Sequence, residues 1–538
     1  GAAVGENESR RDDRDRRFNG AGPLRQTTVR PAAGAAGMRR PWQSKNSVVD
    51  KGGLGVPEPF DYERFKSSCR DKPLDYDDAE LERRLGFSSK VLDGGDYASL
   101  NDEQRLVVAS VLFCNHSVFF TGPAGTGKSR VLNAITKLNS ASLRPLRVHV
   151  AATTGIAGVA VGGGTLNSFA GVGLGKDAAE KLKNKVMSNS SAKARWTETD
   201  ILVVDEVSMM EGGFFDKLDW IGRYVRKNEK VPFGGLQVVL CGDFFQLPPV
   251  NMKGGFAFQA KCWNELLDKS VLLTKVYRQG DPVLLDVLAE ARVGALSDRS
   301  VGVLREHERN PPPLPPASAE GPAVEFTRLE CKNVDVDRGN TERLEALKAD
   351  PYNFAANDYD PTGYRLKSLT APSSLTLKVG AQVMLLKNLD PDNNLVNGSR
   401  GVVTRFTHWT DGRREDPEFT LPKGWSKDTQ LPVVNFGGAD KVMTPRRWEI
   451  TEGEDVKAYR EQLPLRLAWV LSVHKSQGMT ISHLDLNLRG VFEYGQAYVA
   501  LSRGVSMEGI RIRNFEPGGF KASGTVKEFY RALEDVQG

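Results

Sequence analysis

Eight residues, Gly122-Pro-Ala-Gly-Thr-Gly-Lys-Ser129, have the types and spacing of a backbone cradle for phosphate, G-x-x-x-x-G-K-[ST]. Glycines at 122, 125 and 127 let successive N–H groups turn inward, with Pro123, Ala124 and Thr126 filling the loop between them. A helix beginning at the end of the loop adds the partial positive charge of its N-terminus. Lys128 is placed to reach the β- and γ-phosphates of a nucleotide such as ATP, and the Ser129 hydroxyl to hold Mg²⁺.

Carboxylates and amides that fit this chemistry follow. Asp205-Glu206 closes the apolar run Ile201-Leu-Val-Val204. Adjacent carboxylates can serve as helix caps, but beside a phosphate loop their fitting roles are metal ligand (Asp205) and base for the attacking water (Glu206). Asp243 and Gln246 follow the run Val238-Val-Leu-Cys241, and Gln246 can both donate and accept, so it can sense a γ-phosphate or position water. Arg278 comes directly after the apolar segment beginning at Leu272.

The elements that must position these groups are legible as periodicity. Ser117–Thr121 reads as a buried strand, and Val131, Ala134, Ile135 and Leu138 keep one face of a following helix apolar. Leu146–Ala151 alternates like a strand and runs into hydroxyl- and glycine-rich stretches, Thr153–Gly158 and Gly162–Phe169, that suit a backbone held close to a ligand. Continuous apolar strands belong to a parallel sheet buried on both faces, whose carboxyl edge is where ligands sit. Asn101 and Gln104 have capping-box spacing before the apolar stretch from Leu106 to Phe113, which by itself accounts for Gln104.

With 538 residues the chain is long enough for two to four domains. Its 73 basic and 68 acidic residues nearly balance, so a nucleic-acid site would have to be a local patch. Five scattered cysteines without a C-x-x-C pair argue against structural zinc and for a reducing compartment. No apolar run is long enough to cross a bilayer, and the chain begins at Gly1, so it is read as a fragment or a processed form. Residues 1–55 lack a hydrophobic period, and their arginines at 10, 11, 14, 16 and 17 are interleaved with Asp12, Asp13 and Asp15; this predicts a disordered tail. The proline-rich stretch 309–322 reads as a stiff connector. From Leu375 to Pro464, short β-like runs are separated by Asn397-Gly398, Asp411-Gly412 and Gly437-Gly438, the pattern of a small inserted antiparallel barrel. Leu467–Val473 reads as one further buried strand, leading into His474-Lys475.

In this order the motifs resemble the Pif1 family of 5′-to-3′ DNA helicases in superfamily 1, over roughly residues 98 to 515. The stretches that carry the resemblance are Leu100–Gln104, Gly122–Ser129, Thr153–Phe169, Val204–Met209, Phe233–Pro249, Val276–Gln279, Leu471–Gly478 and Ala497–Arg503. The resemblance implies an α/β fold of two RecA-like lobes with an inserted SH3-like barrel. The expected boundaries are a leader at 56–97, a first lobe at 98–272 with a small wedge insertion, a second lobe at 273–374 and 465–538, and the insertion at 375–464. It also implies that Gln104 contacts adenine, a role it can combine with capping, and that Arg278 and Arg503 come from the second lobe to stabilise charge on the γ-phosphoryl. Single-stranded DNA would be gripped by Thr154, Asn167, Ser168 and Phe169 of the first lobe and by His474, Lys475, Gln496, Tyr498 and Ser502 of the second. Asn167 stands where the family usually has His, which weakens stacking there. The implied partners are single-stranded DNA and junctions with duplex, bound by a monomer without a membrane. The implied setting is genome maintenance in the nucleus, the mitochondrion or both. The rivals are a RecD-like or transposon-encoded helicase, and a nucleotide-dependent switch that binds without unwinding. The switch would be expected to lack Glu206 or the two arginines.

Overall fold

Phe119 and Phe120 are adjacent and fully buried, yet they belong to different cores. They lie on β1 (Val118–Thr121), and strand geometry sends successive side chains to opposite faces. Phe119 joins a core with Leu202, Val204, Val238 and Leu240; Phe120 joins one with Ile201, Val203, Val239 and Cys241. A strand covered on both faces must be apolar throughout, which is why the alternation is invisible in the sequence. In this computed structural model the described residues are 60–74, 95–313 and 324–537, apart from loop positions 362, 364, 365, 367, 368, 391, 392, 394, 438, 439, 453 and 454. The N-terminal tail with its arginines, most of the leader and most of the proline-rich connector lie outside them.

The other strands of this sheet are β2 (Val148–Ala152), β3 (Gly164–Thr165), β4 (Ile201–Asp205), β5 (Gln237–Cys241) and β6 (Lys269–Leu272). Their order is β3-β2-β4-β5-β1-β6 and every pairing is parallel. All carboxyl ends therefore lie along one edge. The phosphate loop leaves β1, Asp205 ends β4 and Asp243 follows β5, so three separate motifs converge there.

The second lobe has its own parallel sheet, in the order Val470–Ser472, Thr327–Glu330, Leu484–Asn487 and Ile510–Arg513. Helices Pro282–Val293 and Gln496–Leu501 share its core. Two parallel-sheet lobes form the expected RecA-like α/β fold. The β-rich insertion is antiparallel throughout: Asp440–Val442, Gln430–Asn435, Arg400–His408, Gln382–Leu385 and Leu465–Leu467 form one sheet. A long hairpin, Arg446–Glu452 with Asp455–Gln462, forms another with Asn357–Tyr359.

Four expectations need correction. The insertion recruits strands before residue 375: Asn357–Tyr359 covers the edge of the hairpin, and Tyr352–Ala355 pairs with Ser374–Leu377. Leu467–Val473 is not one strand, because Leu465–Leu467 pairs in the insertion and Val470–Ser472 in the lobe. Asp411-Gly412 lies in the short helix Trp409–Glu415 rather than in a turn, and a Cβ at Gly412 would come within 2.8 Å of Leu431. Finally, the helix Gly524–Gln537, expected in the second lobe, packs in the first. Its Val526, Phe529, Tyr530 and Leu533 fill the core around Phe119 and Phe244, with Phe529 stacked on Phe258 at 4.2 Å between ring centroids. Helix Tyr62–Ser68 of the leader closes the same cluster, with Phe65 against Phe529.

Candidate functional site

The phosphate loop takes left-handed backbone at Gly125 and Gly127 (φ 89° and 83°). A side chain would be strained there and would also collide, since a Cβ at Gly125 would meet the Arg278 Cβ at 2.8 Å and one at Gly127 the Gln104 Nε2 at 2.7 Å. No side chain caps the helix Lys128–Ala141, so its first-turn N–H groups are left for a ligand. The Lys128 ammonium donates to the Gly122 and Pro123 carbonyls at 2.8 and 3.0 Å, and Ser129 is exposed. Gln104 is nearly fully buried. Its Oε1 accepts from the Asn101 N–H to complete the capping box, and its Nε2 donates to the Thr126 carbonyl at 3.1 Å. It therefore caps its helix and braces the loop from within.

Asp205 accepts from the Glu206 N–H through Oδ1. Glu206 has a left-handed backbone (φ 55°), an uncommon state for a residue with a side chain, held by the Thr153 hydroxyl donating to its carbonyl at 2.8 Å. Burial raises the affinity of both carboxylates for a proton, and for Glu206 the neighbouring Asp205 adds to the effect. Gln477, from the second lobe, donates from Nε2 to Glu206 Oε2 at 2.8 Å, so the candidate base is oriented from across the cleft. Gln246 is nearly buried on the turn after β5.

Arg503 is 1% exposed, and its guanidinium donates to the Val499, Ser476 and Met479 carbonyls and the Ser502 hydroxyl. Arg278 donates to the Ser502 and Gly478 carbonyls. Among the described residues neither arginine pairs with a carboxylate. Burial, with the Arg278 charge next to it, pushes Arg503 down to about 9, and burial also lowers Arg278. A buried and a half-buried like charge that meet only neutral acceptors are costly, and an anion entering between them and the phosphate loop would relieve that cost. Arg278 comes from the segment joining the lobes rather than from the second lobe itself: the Tyr277 N–H binds the Gly125 carbonyl at 2.8 Å. The next residue, Gln279, donates from Nε2 to the Ser502 and Gly504 carbonyls.

Of the residues proposed to grip DNA, several are buried. Phe169 is 1% exposed and packs against His149 and Trp196, at 4.6 and 5.2 Å between centroids, so no base can stack on it. Gln496 and Ser502 are fully buried; Gln496 accepts from the Phe492 and Glu493 N–H groups, and Ser502 donates to the Val499 carbonyl. Tyr498, 2% exposed, turns its hydroxyl to the Ala124 N–H of the phosphate loop. Thr154 accepts from the Ala157 N–H, Asn167 donates to the Gly173 carbonyl, and Ser168 is exposed. His474 lies 3.4 Å from Glu493 and Lys475 is half-buried. The same surface exposes Phe492 and Tyr494 (57% and 47%), two aromatics that the motif reading passed over. Gln477 and Gln279 were missed because each stands inside a motif next to a more reactive neighbour.

Residues 99–290 match the family model of PIF1-like helicases, and residues 366–406 match the 2B domain of DNA helicase Pif1. A crystal structure of Pif1 helicase from Candida albicans superimposes with a TM-score of 0.69 at 37% identity, covering 81% of this chain and 99% of that one. This chain belongs to the Pif1-like helicase family. The ATP-dependent DNA helicase PIF1 of Xenopus laevis is 38% identical over 441 residues, which is 81% of this chain and 64% of the relative. The chain therefore spans less than two thirds of that relative's length. A Bacteroides Pif1 helicase in complex with ADP-AlF3 and single-stranded DNA is 26% identical, with a TM-score of 0.56, covering 81% of this chain and 97% of that one.

Proposed function

We propose that this Pif1-family chain is an ATP-dependent DNA helicase that moves 5′-to-3′ along single-stranded DNA and unwinds duplex or structured DNA ahead of it, in the service of genome maintenance. The observation that carries the reading is the pair Arg278 and Arg503: Arg503 is buried, Arg278 is half-buried beside the phosphate loop, and among the described residues neither has a carboxylate partner. A γ-phosphate between that pair and Lys128 would draw the cleft shut, and hydrolysis would release it, a switch of the kind phosphate contacts drive. Glu206, oriented by Gln477, would deprotonate the attacking water.

Mg²⁺ fits the donors present. Asp205 brings a carboxylate to the end of β4, and the Ser129 hydroxyl is exposed at the start of the helix; both are the hard oxygen ligands Mg²⁺ takes. The metal would neutralise charge on the phosphates, while the side chains around it bind and orient.

For DNA, the exposed candidates are Ser168 in the first lobe and Phe492 and Tyr494 in the second, joined by the half-buried His474 and Lys475. Stacking on aromatic faces tolerates any base, as translocation requires. The Bacteroides relative, solved with single-stranded DNA and a phosphate mimic together, supports the pairing of these two ligands.

Strand displacement on duplexes carrying either a 5′ or a 3′ single-stranded tail tests the reading. Unwinding should need ATP and proceed from the 5′ tail. Preferential opening from the 3′ tail would overturn the polarity, and ATP hydrolysis without any unwinding would favour the nucleotide-dependent switch.

A further inference from the structure

Asp243 is fully buried at the carboxyl end of β5 and is not free to meet a nucleotide. Arg292, on the second-lobe helix Pro282–Val293, holds it with two bonds, Nε to Oδ2 at 3.2 Å and an Nη to Oδ1 at 2.9 Å. Burial alone would push this carboxyl up, but Arg292 overrides it and keeps Asp243 below the usual carboxylate range. The Tyr530 hydroxyl, from the helix Gly524–Gln537, lies 3.1 Å from the same oxygen, 3.2 Å from the Phe244 nitrogen and 2.5 Å from the Thr121 hydroxyl at the end of β1. Arg292 also lies over the rings of Phe245 and Tyr530, at 4.5 and 4.8 Å.

Asp243 in turn shapes the loop that bears Gln246. Its Oδ1 accepts from the Phe245 N–H, and its carbonyl accepts from the Gln246 N–H at 2.8 Å. A second contact from the other lobe reaches the same turn. Gly495, which precedes the helix carrying Tyr498, lies so close that a Cβ there would come within 2.3 Å of the Phe245 carbonyl oxygen and 2.5 Å of that of Gln246.

We propose that Arg292 and Tyr530 are positioning residues for Gln246: both grip Asp243, Tyr530 fixing the turn that bears Gln246 to the first lobe's sheet and Arg292 tying it to the position of the second lobe. A change in the angle between the lobes then displaces Gln246, and an open cleft has its amide out of place for hydrolysis. The inference rests on the ATP-hydrolysis reading above.

Steady-state ATP hydrolysis by the whole chain, with saturating single-stranded DNA, tests it in Tyr530→Phe and Arg292→Lys. Tyr530→Phe removes one hydroxyl and keeps the ring, so the core stays filled. Arg292→Lys keeps the charge and loses the two-pronged grip. Both should lower kcat roughly tenfold, the effect of a weakened positioning bond, with KM for ATP close to wild type. Tyr530→Phe also takes the partner from the buried Phe244 N–H and should melt somewhat early, so kcat is read well below the melting temperature. The double variant Asp243→Asn/Arg292→Gln replaces the ion pair with an amide pair and should melt normally yet still hydrolyse slowly. Wild-type kcat in the single variants, or slow hydrolysis only in those that melt early, would overturn the proposal and leave the helicase reading intact. An inactive wild-type chain would overturn both.

Discussion

The Tyr498 hydroxyl accepts a hydrogen bond from the Ala124 N–H at 2.9 Å, so a second-lobe tyrosine holds the first-lobe phosphate loop. Tyr498→Phe leaves that buried N–H without a partner, a cost of about 1–3 kcal/mol charged to the loop. KM for ATP should rise about tenfold, while affinity for single-stranded DNA without nucleotide stays the same. Steady-state hydrolysis and fluorescence anisotropy separate the two. A loss of DNA binding with normal KM would return Tyr498 to the DNA-gripping set.

Arg503→Lys keeps a positive charge but cannot keep donors on the Val499, Ser476 and Met479 carbonyls together. Hydrolysis should fall on the order of 10³-fold, the scale of an arginine finger, with nucleotide binding largely retained. Single-turnover hydrolysis beside equilibrium binding of a non-hydrolysable analogue is the measurement. A near-normal rate would remove Arg503 from the transition state.

Aromatic residues near the DNA path should divide by exposure. Phe492→Ala and Tyr494→Ala should each weaken binding of a homopolymeric oligonucleotide by about 1–3 kcal/mol, the scale of one base–aromatic stack, without shifting the melting temperature. Phe169→Ala should instead cost about 3–5 kcal/mol of folding stability, because its ring fills a core against Trp196. Anisotropy at fixed salt and chemical denaturation report both. Wild-type affinity in both surface variants would place the strand elsewhere.

Phe529→Ala should destabilise the first lobe by about 3–5 kcal/mol, as it opens a cavity between Phe258 and Phe119. Native-state hydrogen exchange should quicken first in β1 and β5. If exchange quickened only in the second-lobe strands, such as Leu484–Asn487, the helix would act on the wrong lobe.

What the sequence made legible was local. A phosphate loop or a strand ending in Asp205-Glu206 is written in consecutive residues, so its position on a strand end follows from chain geometry. Arg503 was named for the site only through the family resemblance of Ala497–Arg503, since nothing in that helix alone says which lobe its arginine meets. Burial of Phe169 and Tyr498 was not, because a short helix within a motif shows one face to the core and nothing in its residue types says which. The helix Gly524–Gln537 has an unmistakable apolar face, but amphipathicity names no partner, and continuity along the chain pointed to the wrong lobe. Arg292 was hidden for a similar reason: its carboxylate lies 49 positions away on the other lobe.

The chain builds the first lobe's sheet, crosses to the second lobe, and returns with Phe529 and Tyr530 to finish the core it began. On a ribosome, the phosphate loop and its five neighbouring strands emerge early but cannot bury Phe119 and Phe244 fully until the second lobe has been synthesised. The first lobe is therefore the last to close, and it must wait with exposed aromatic surface, a state that invites chaperone binding and aggregation during synthesis.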